Sequence, residues 1–361
     1  MLIQKFTTLF KDVTRQGTKI PKEEYLTHGK NIIIDQGQDI IAGYTNCEDG
    51  IFKKIPAIVF GDHTSLIKYV DTPFFLGADG VKVLKCTDKN ANYRYLYYAL
   101  KNAHIPNTGY NRHFKWLKEI TINYPDKNRQ NDIVNILDKL EYIIKMKSQE
   151  LDKFDELIKA RFVEMFGDPQ DSKSKWKKST IEKCCTLKSG KTLPRNIENE
   201  GGNIPYVKVK DMNSLENTTY ITTSTRFVSD KTANKSIFPV GTVIFPKRGG
   251  AIGTNKKRLT KVPICADLNI MGVIPDNTRI SSYYLFEYFN MVDLNTLNNG
   301  SSVPQINNKD INPLNINIPP LSLQNEFANF VHQVDKSKVA VQKSLDETQK
   351  LFDSLMQEYF G

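Results

Sequence analysis

Three sets of residues in this sequence are of types that chemistry uses, and their spacing decides what each can do. In "GDHT", Asp62 stands beside His63, an acid and a base of the kind that pass a proton to a nucleophile. A working site also needs that nucleophile and an orienting group in reach. None is evident, and the local composition is that of a β-turn. The stretch "KRGGAIG", Lys247 to Gly253, is glycine-rich but lacks the GxGxxG spacing of a dinucleotide loop, and no GxxxxGK[ST] phosphate loop occurs in the chain. It reads as a hairpin whose glycines let the backbone approach a phosphate, with the basic "NKKR" (Asn255 to Arg258) just beyond. The five cysteines, Cys47, Cys86, Cys184, Cys185 and Cys265, are odd in number, form no CxxC and have no accompanying His-rich tract. That argues against both a zinc site and a disulfide framework.

What remains is charge. The chain carries 50 Lys and Arg against 40 Asp and Glu, a formal +10, which permits polyanion binding. From Asp171 to Lys261 the count is 19 to 7, so the excess is concentrated in one segment, which is expected to present a basic surface.

The elements that must position these residues follow from a repeat. From Ile133, steps of four and three reach Leu137, Leu140, Ile144, Lys147, Leu151, Phe154, Ile158, Arg161 and Met165. An average step of 3.5 keeps one seam of a long helix against a partner helix, as in a coiled coil. Adding 194 to each number gives Phe327, Val331, Val334, Lys338, Val341, Leu345, Thr348, Phe352, Leu355 and Tyr359, while Pro125, Gln130, Phe166 and Gly167 map to Pro319, Gln324, Phe360 and Gly361. An ungapped repeat of this kind marks an internal duplication. The single lysines in the seams, Lys147 and Lys338, do not map onto each other and are suited to fixing register.

The chain thus divides into a globule (1–124), a helix (125–167), a second globule (168–318) and a second helix (319–361). In the first globule, "KNIIIDQGQDIIAGY", "IPAIVFGDHTSLIKYV" and "GADGVKVL" read as strands. "ANYRYLYYALKNA" reads as a helix with Tyr93, Leu96, Tyr97 and Leu100 on one face. A polar loop, a short helical turn and a last strand close it at Pro125. The second globule repeats the plan in "GNIPYVKVKDM", "GTVIFPKRGGAIG", "ADLNIMGVIP" and the helical "ISSYYLFEYFNMV". The 361 residues suffice for two or more cores, and no run of eighteen apolar residues exists, so a cytoplasmic protein without a membrane span is expected.

The order and doubling of "YPDKNRQNDIVNILDKL" and "IPPLSLQNEFANFVHQV", "FVEMFGDP" closing the first helix, "PAIVFGDHT" with "GADGVKVL", and "VIFPKRGGAIG" with "NGSSVPQINNKDI" resemble the specificity (S) subunits of type I restriction-modification systems, over essentially the whole length. The resemblance implies an α+β fold. Two mixed α/β target recognition domains, related by pseudo-twofold symmetry, would be separated by two long antiparallel coiled-coil helices acting as a ruler. Each domain would read half of a bipartite, asymmetric site in double-stranded DNA. It implies two docked modification (M) methyltransferase subunits carrying S-adenosylmethionine, and restriction (R) subunits using ATP and Mg. This chain would be non-catalytic, with no cofactor or metal of its own. "NIPPL" agrees, since Leu321 stands where an adenine methyltransferase carries the aromatic ring that stacks on a flipped base.

Under that resemblance, lysine and arginine near phosphates and polar side chains at base edges are the expected DNA contacts. In the first globule these are Lys19, Lys22, Tyr25, His63, Thr64, Lys68, Tyr110, Arg112 and His113. In the second they are Lys188, Lys191, Arg195, Lys208, Lys210, Lys247, Arg248, Lys256, Lys257, Arg258, Ser301, Ser302 and Gln305.

Overall fold

The computed structural model describes residues 3–77, 80–106, 109, 111–169, 174–234, 236–297 and 303–361. The chain packs as two units, Met1–Gln149 with Gln342–Gly361, and Glu150–Val341. Each unit takes one globule together with half of each long helix.

In the first unit the chain runs through β1 (Ile3–Lys5), α1 (Phe6–Leu9), β2 (Phe10–Asp12), β3 (Asn31–Ile34), β4 (Gly43–Thr45), β5 (Ala57–Gly61), β6 (Ile67–Val70), β7 (Phe74–Leu76), β8 (Val81–Cys86), α2 (Tyr93–Lys101), α3 (Phe114–Leu117) and β9 (Thr121–Asn123) into the long helix α4 (Lys127–Phe166). One antiparallel sheet has the order β2-β8-β5-β6, a second has the order β4-β3-β7 with β3 and β7 parallel, and β1 pairs with β9. Every residue of β5 is buried, which is why this strand reads as a continuous apolar run rather than an alternation.

The second unit comprises β10 (Lys177–Thr180), α5 (Ile181–Cys184), β11 (Cys185–Ser189), β12 (Ile204–Val207), β13 (Tyr220–Ile221), β14 (Phe227–Val228), α6 (Asp230–Ala233), β15 (Val243–Pro246), β16 (Arg258–Thr260), β17 (Cys265–Ala266), β18 (Ile270–Pro275), α7 (Ser282–Met291), α8 (Asn308–Ile311), β19 (Asn315–Ile318) and the start of the long helix α9 (Leu321–Phe360). Its sheets are β11-β18-β15-β16-β13 and β14-β12-β17, with β12 and β17 parallel and β10 paired with β19. This is the topology of the first unit with one edge strand, β13, added. The duplication legible in the helices therefore extends through globules whose sequences have diverged.

Both long helices have 40 residues, and their limits map onto each other at the offset of 194. All twenty seam positions named above are buried or half-buried. Within the second unit Lys338 pairs with Asp155, Arg161 with Glu326 at 3.2 Å, and Phe166 packs on Phe327. As one number rises the other falls, so the two helices run antiparallel there.

The Pro and Gln shared by the repeats have one structural role in both. Gln130 Nε2 donates to the carbonyl of Pro125 at 2.8 Å, and Gln130 Oε1 accepts from the backbone N–H of Asn92, the N-cap of α2, at 3.0 Å. Gln324 Nε2 donates to the carbonyl of Pro319 at 2.8 Å, and its Oε1 accepts from the N–H of Ser281, the N-cap of α7, at 2.7 Å. Both glutamines are buried. Each thus joins the globule's principal helix to the root of a long helix. Tyr95 and Tyr284, at matching places on α2 and α7, add hydroxyl bonds to the carbonyls of Asn123 and Asn317 at 2.6 and 2.9 Å.

Gln324→Leu keeps the volume but leaves a buried carbonyl and a buried N–H without a partner. A loss of about 1–3 kcal/mol of stability is expected, measured by denaturant unfolding, and Gln130→Leu should behave alike.

One expected face is displaced. On α2 the buried residues are Tyr95, Leu96, Tyr98, Ala99 and Leu100, while Tyr93 and Tyr97 are half-buried. The helix is sandwiched between sheet and long helix, so its buried arc is wider than a single stripe and turned toward Tyr95 and Tyr98.

Candidate nucleic-acid interface

In the first unit, Lys19 and Arg112, both exposed, line a small cavity of about 240 Å³ with Thr14, Asp62 and Lys82. The floor is built by Asp62. Its side chain accepts from Phe114 N–H at 2.8 Å and its carbonyl from His113 N–H at 2.7 Å, while His113 Nδ1 lies 3.1 Å from the same carbonyl. Asp62 therefore anchors the start of α3, and His113 is buried beside it rather than presented outward. The Asp62 carboxylate is thus engaged by main chain. His63 N–H and Thr64 Oγ1 both donate to Gln36, at 3.1 and 2.8 Å, which fixes the turn after β5. Lys82, absent from the sequence-based expectation, joins Lys19 and Arg112 at this rim and pairs loosely with Asp12 at 3.6 Å. Its place in an apolar strand run hid it.

Two other expected contacts in this unit are taken by the fold. Lys68 is buried. It donates to the carbonyl of Asp39 at 2.5 Å and lies 3.6 Å from Asp35, with burial pulling its pKa down. Tyr25 packs against the small core of Ile20, Ile33 and Phe75. Lys22 is exposed in a single 3-10 turn, and Tyr110 lies outside the described residues.

In the second unit, β15 and β16 form the expected hairpin. Gly249 takes φ +68°, a left-handed conformation open to glycine at little cost. The segment before α8 closes on this hairpin: Gly249 N–H donates to Pro304 and Ile306 N–H to Lys247, at 2.8 and 3.0 Å, and Arg248 bridges Gln305. Lys247, exposed Arg248 and Gln305 are thereby gathered at one sheet end, with Lys247 Nζ on Ser189 Oγ at 2.7 Å. Burial, then the Arg248 charge, lowers the Lys247 pKa. Ser301 and Ser302, expected beside them, lie outside the described residues. Lys191, Arg195 and Lys210 are exposed on other loops. Lys188 donates to the carbonyl of Ile237, Lys208 pairs with Glu198 at 2.5 Å, and Lys256 bonds Asn213.

The "NKKR" expectation is corrected. Asn255 is left-handed at φ +52°, where the turn ends, and beyond Lys256 the side chains of Lys257 and Arg258 are held by the protein itself. Lys257 is 4% exposed and donates to Val292 O at 2.6 Å and Asn255 Oδ1 at 2.8 Å. Arg258 spends its guanidinium on the carbonyls of Asn217, Lys257 and Met212. Neither offers its charge to a phosphate.

Burial brings Lys257 down to about 8, with Asp293 opposing. A folded pKa below the unfolded one makes stability fall as pH drops from above the ordinary lysine range through about 8. Lys257→Met should remove that slope, and unfolding midpoints at pH 7 and pH 10 would measure the difference.

Among the described residues no cluster of three His, Cys, Asp or Glu side chains could hold a metal, the five cysteines are free, and no helix is long and apolar enough to cross a membrane.

Comparison with known proteins agrees with the doubled topology. The chain is 24% identical over 330 residues to the EcoR124I/EcoR124II specificity subunit of Escherichia coli, covering 84% of this chain and 79% of that one. It is 22% identical over 263 residues to the MjaIX specificity subunit of Methanocaldococcus jannaschii, covering 66% and 60%. The fold matches the crystal structure of the type I restriction-modification S subunit from M. genitalium with a TM-score of 0.62 at 19% identity, over 100% of this chain and 96% of that one. A structure from a study of complex assembly in the type I system matches at 0.57 and 14% identity, over 99% and 97%. Residues 8–153 and 173–348 match the family described as the type I restriction modification DNA specificity domain, once for each unit's globule and the helix that follows it. With two successive copies of that one domain together spanning most of the chain, the protein belongs to the type I restriction-modification specificity subunits, the DNA-recognition components of those systems.

Proposed function

We propose that this chain reads a bipartite, asymmetric site in double-stranded DNA, one half with each globule, and that α4 and α9 set the gap between the halves. In this reading it is non-catalytic and needs no cofactor of its own. It docks two modification subunits, which bind S-adenosylmethionine and methylate adenine, and through them restriction subunits that use ATP and Mg. The observation that carries the proposal is a contrast between the repeats: the glutamine-based attachment of globule to helix is kept in both units, while the exposed cationic groups differ. The Lys19, Lys82 and Arg112 rim of one globule has no likeness in sequence to the Lys247, Arg248 and Gln305 sheet end of the other. A constant mount with differing faces suits two modules that read different sequences.

The test is methylome sequencing of a host that carries this chain with its methyltransferase subunit. A single split, asymmetric, adenine-methylated motif is expected. An undivided motif, or methyl transfer by the purified chain alone with S-adenosylmethionine, would overturn the reading.

A further inference from the structure

The two units treat one equivalent position differently. In the first, Arg94 on α2 reaches α4: Nη2 lies 2.6 Å from Asp138 Oδ1 and 2.9 Å from Glu141 Oε2, and Lys101 adds a contact to Glu141 at 3.2 Å. The guanidinium carbon sits 5.1–5.2 Å from the ring centres of Tyr69, Tyr97 and Tyr98. Two carboxylates are thus answered by two cations, both of which lie over aromatic rings.

The matched N-caps, Asn92 and Ser281, and the matched tyrosines, Tyr95 and Tyr284, set the correspondence between α2 and α7. Arg94 then becomes Tyr283, Tyr98 becomes Glu287 and Lys101 becomes Asn290, while the repeat offset turns Asp138 and Glu141 into His332 and Asp335. Both cations are gone and two carboxylates stand at the five positions.

In place of the guanidinium, the second unit has a cavity of about 400 Å³, lined among others by Tyr220, Tyr283, Glu287, Asn290 and Asp335. That volume is within the range of small-molecule sites. Glu287 is 7% exposed, accepts from Asn290 Nδ2 at 3.0 Å, and has its pKa raised, first by burial. Asp335 accepts from the Tyr220 hydroxyl. Four cations also line the cavity, and two of them, Lys159 and Lys338, draw the Glu287 pKa down against burial. Lys338 is paired with Asp155, Lys257 and Arg258 are held by backbone carbonyls, and Lys159 is on the exposed side. Lys261 bonds the Tyr283 hydroxyl and lies over the Tyr220 and Tyr283 rings, which shows that these rings accept a cation.

We infer that this cavity is a binding site for a small organic cation bearing a guanidinium group, which would take the place that Arg94 fills in the first unit. A planar guanidinium presents several donors to carboxylates and stacks on tyrosine, and the cavity wall carries both kinds of group. The inference does not depend on how the chain reads DNA.

Agmatine is the probe, titrated into the full-length chain by calorimetry. Saturable binding is expected. Glu287→Gln removes a charged hydrogen-bond partner and should weaken it by about tenfold or more. Tyr283→Arg supplies the chain's own guanidinium, so it should abolish agmatine binding and raise the melting temperature. Absence of saturable binding to the folded wild-type chain would overturn the inference. So would binding that Tyr283→Arg leaves unchanged, a result readable even if Glu287→Gln fails to fold.

Discussion

Phe327→Ala is expected to cost about 3–5 kcal/mol, the usual loss for a phenylalanine removed from a packed core. Phe327 lies 5.4 Å from the Phe162 ring and 5.6 Å from Phe166, and both of these pack on Tyr284, at 5.2 and 4.8 Å. All four are essentially inaccessible to water. Alanine would leave a ring-sized void bounded by both long helices and α7, and the Gln324 bonds that tie α7 to the root of α9 resist its collapse. Since whole domains are stable by only about 5–15 kcal/mol, the second unit should lose most of its margin. Hydrogen exchange over residues 282–291 reports this directly, because α7 should lose protection. A loss below about 1 kcal/mol would mean that the cluster is filled space rather than a source of stability. The first unit holds Ile133, Met356, Phe360 and Tyr95 at the matching places, so the site is kept and its chemistry is not.

Removing residues 145–151 together with 339–345 should change the recognised DNA more than any single substitution. The two segments correspond at the repeat offset, so the loss is the same in both helices, and seven residues keep the heptad phase of the seam. Each helix shortens by about 10 Å. At about 3.4 Å of duplex per base pair, the central gap of the methylated site should contract by about three base pairs while both half-sites stay the same. Methylome sequencing of the variant with its methyltransferase subunit reads gap and half-sites together. A change in either half-site with the gap preserved would show that the helices do not set the spacing.

The seam was the most legible feature because a 3.5-residue period is a property of one helix and needs no knowledge of the rest. It was incomplete for the same reason. Phe162, Phe166 and Met356 are buried and Phe360 is half-buried although they lie off the seam, since each long helix also packs against a globule. Strands and principal helices were recoverable from composition, but the burial of individual cations was not. Lys68, Lys257 and Arg258 look like surface charge in the sequence, and the carbonyls that capture them come from residues far along the chain. Lys82 was missed in the opposite sense: a lysine in an apolar strand resembles an interruption, and pairing with β5 and β2 is what brings it to the rim beside Arg112.

The glutamine attachments carry a last consequence. Gln130 and Gln324 each join the prolyl carbonyl at the root of their own helix to the N-cap amide of the globule's principal helix, and Gln324 also donates to the carbonyl of Arg279. On the globule's principal helix each glutamine oxygen meets a main-chain amide, a group that every residue but proline carries. A globule that presents the first amide of a helix at that place keeps this bond, whatever its outer loops have become. Changes among the globule's loop side chains therefore leave the partner of each glutamine oxygen in place.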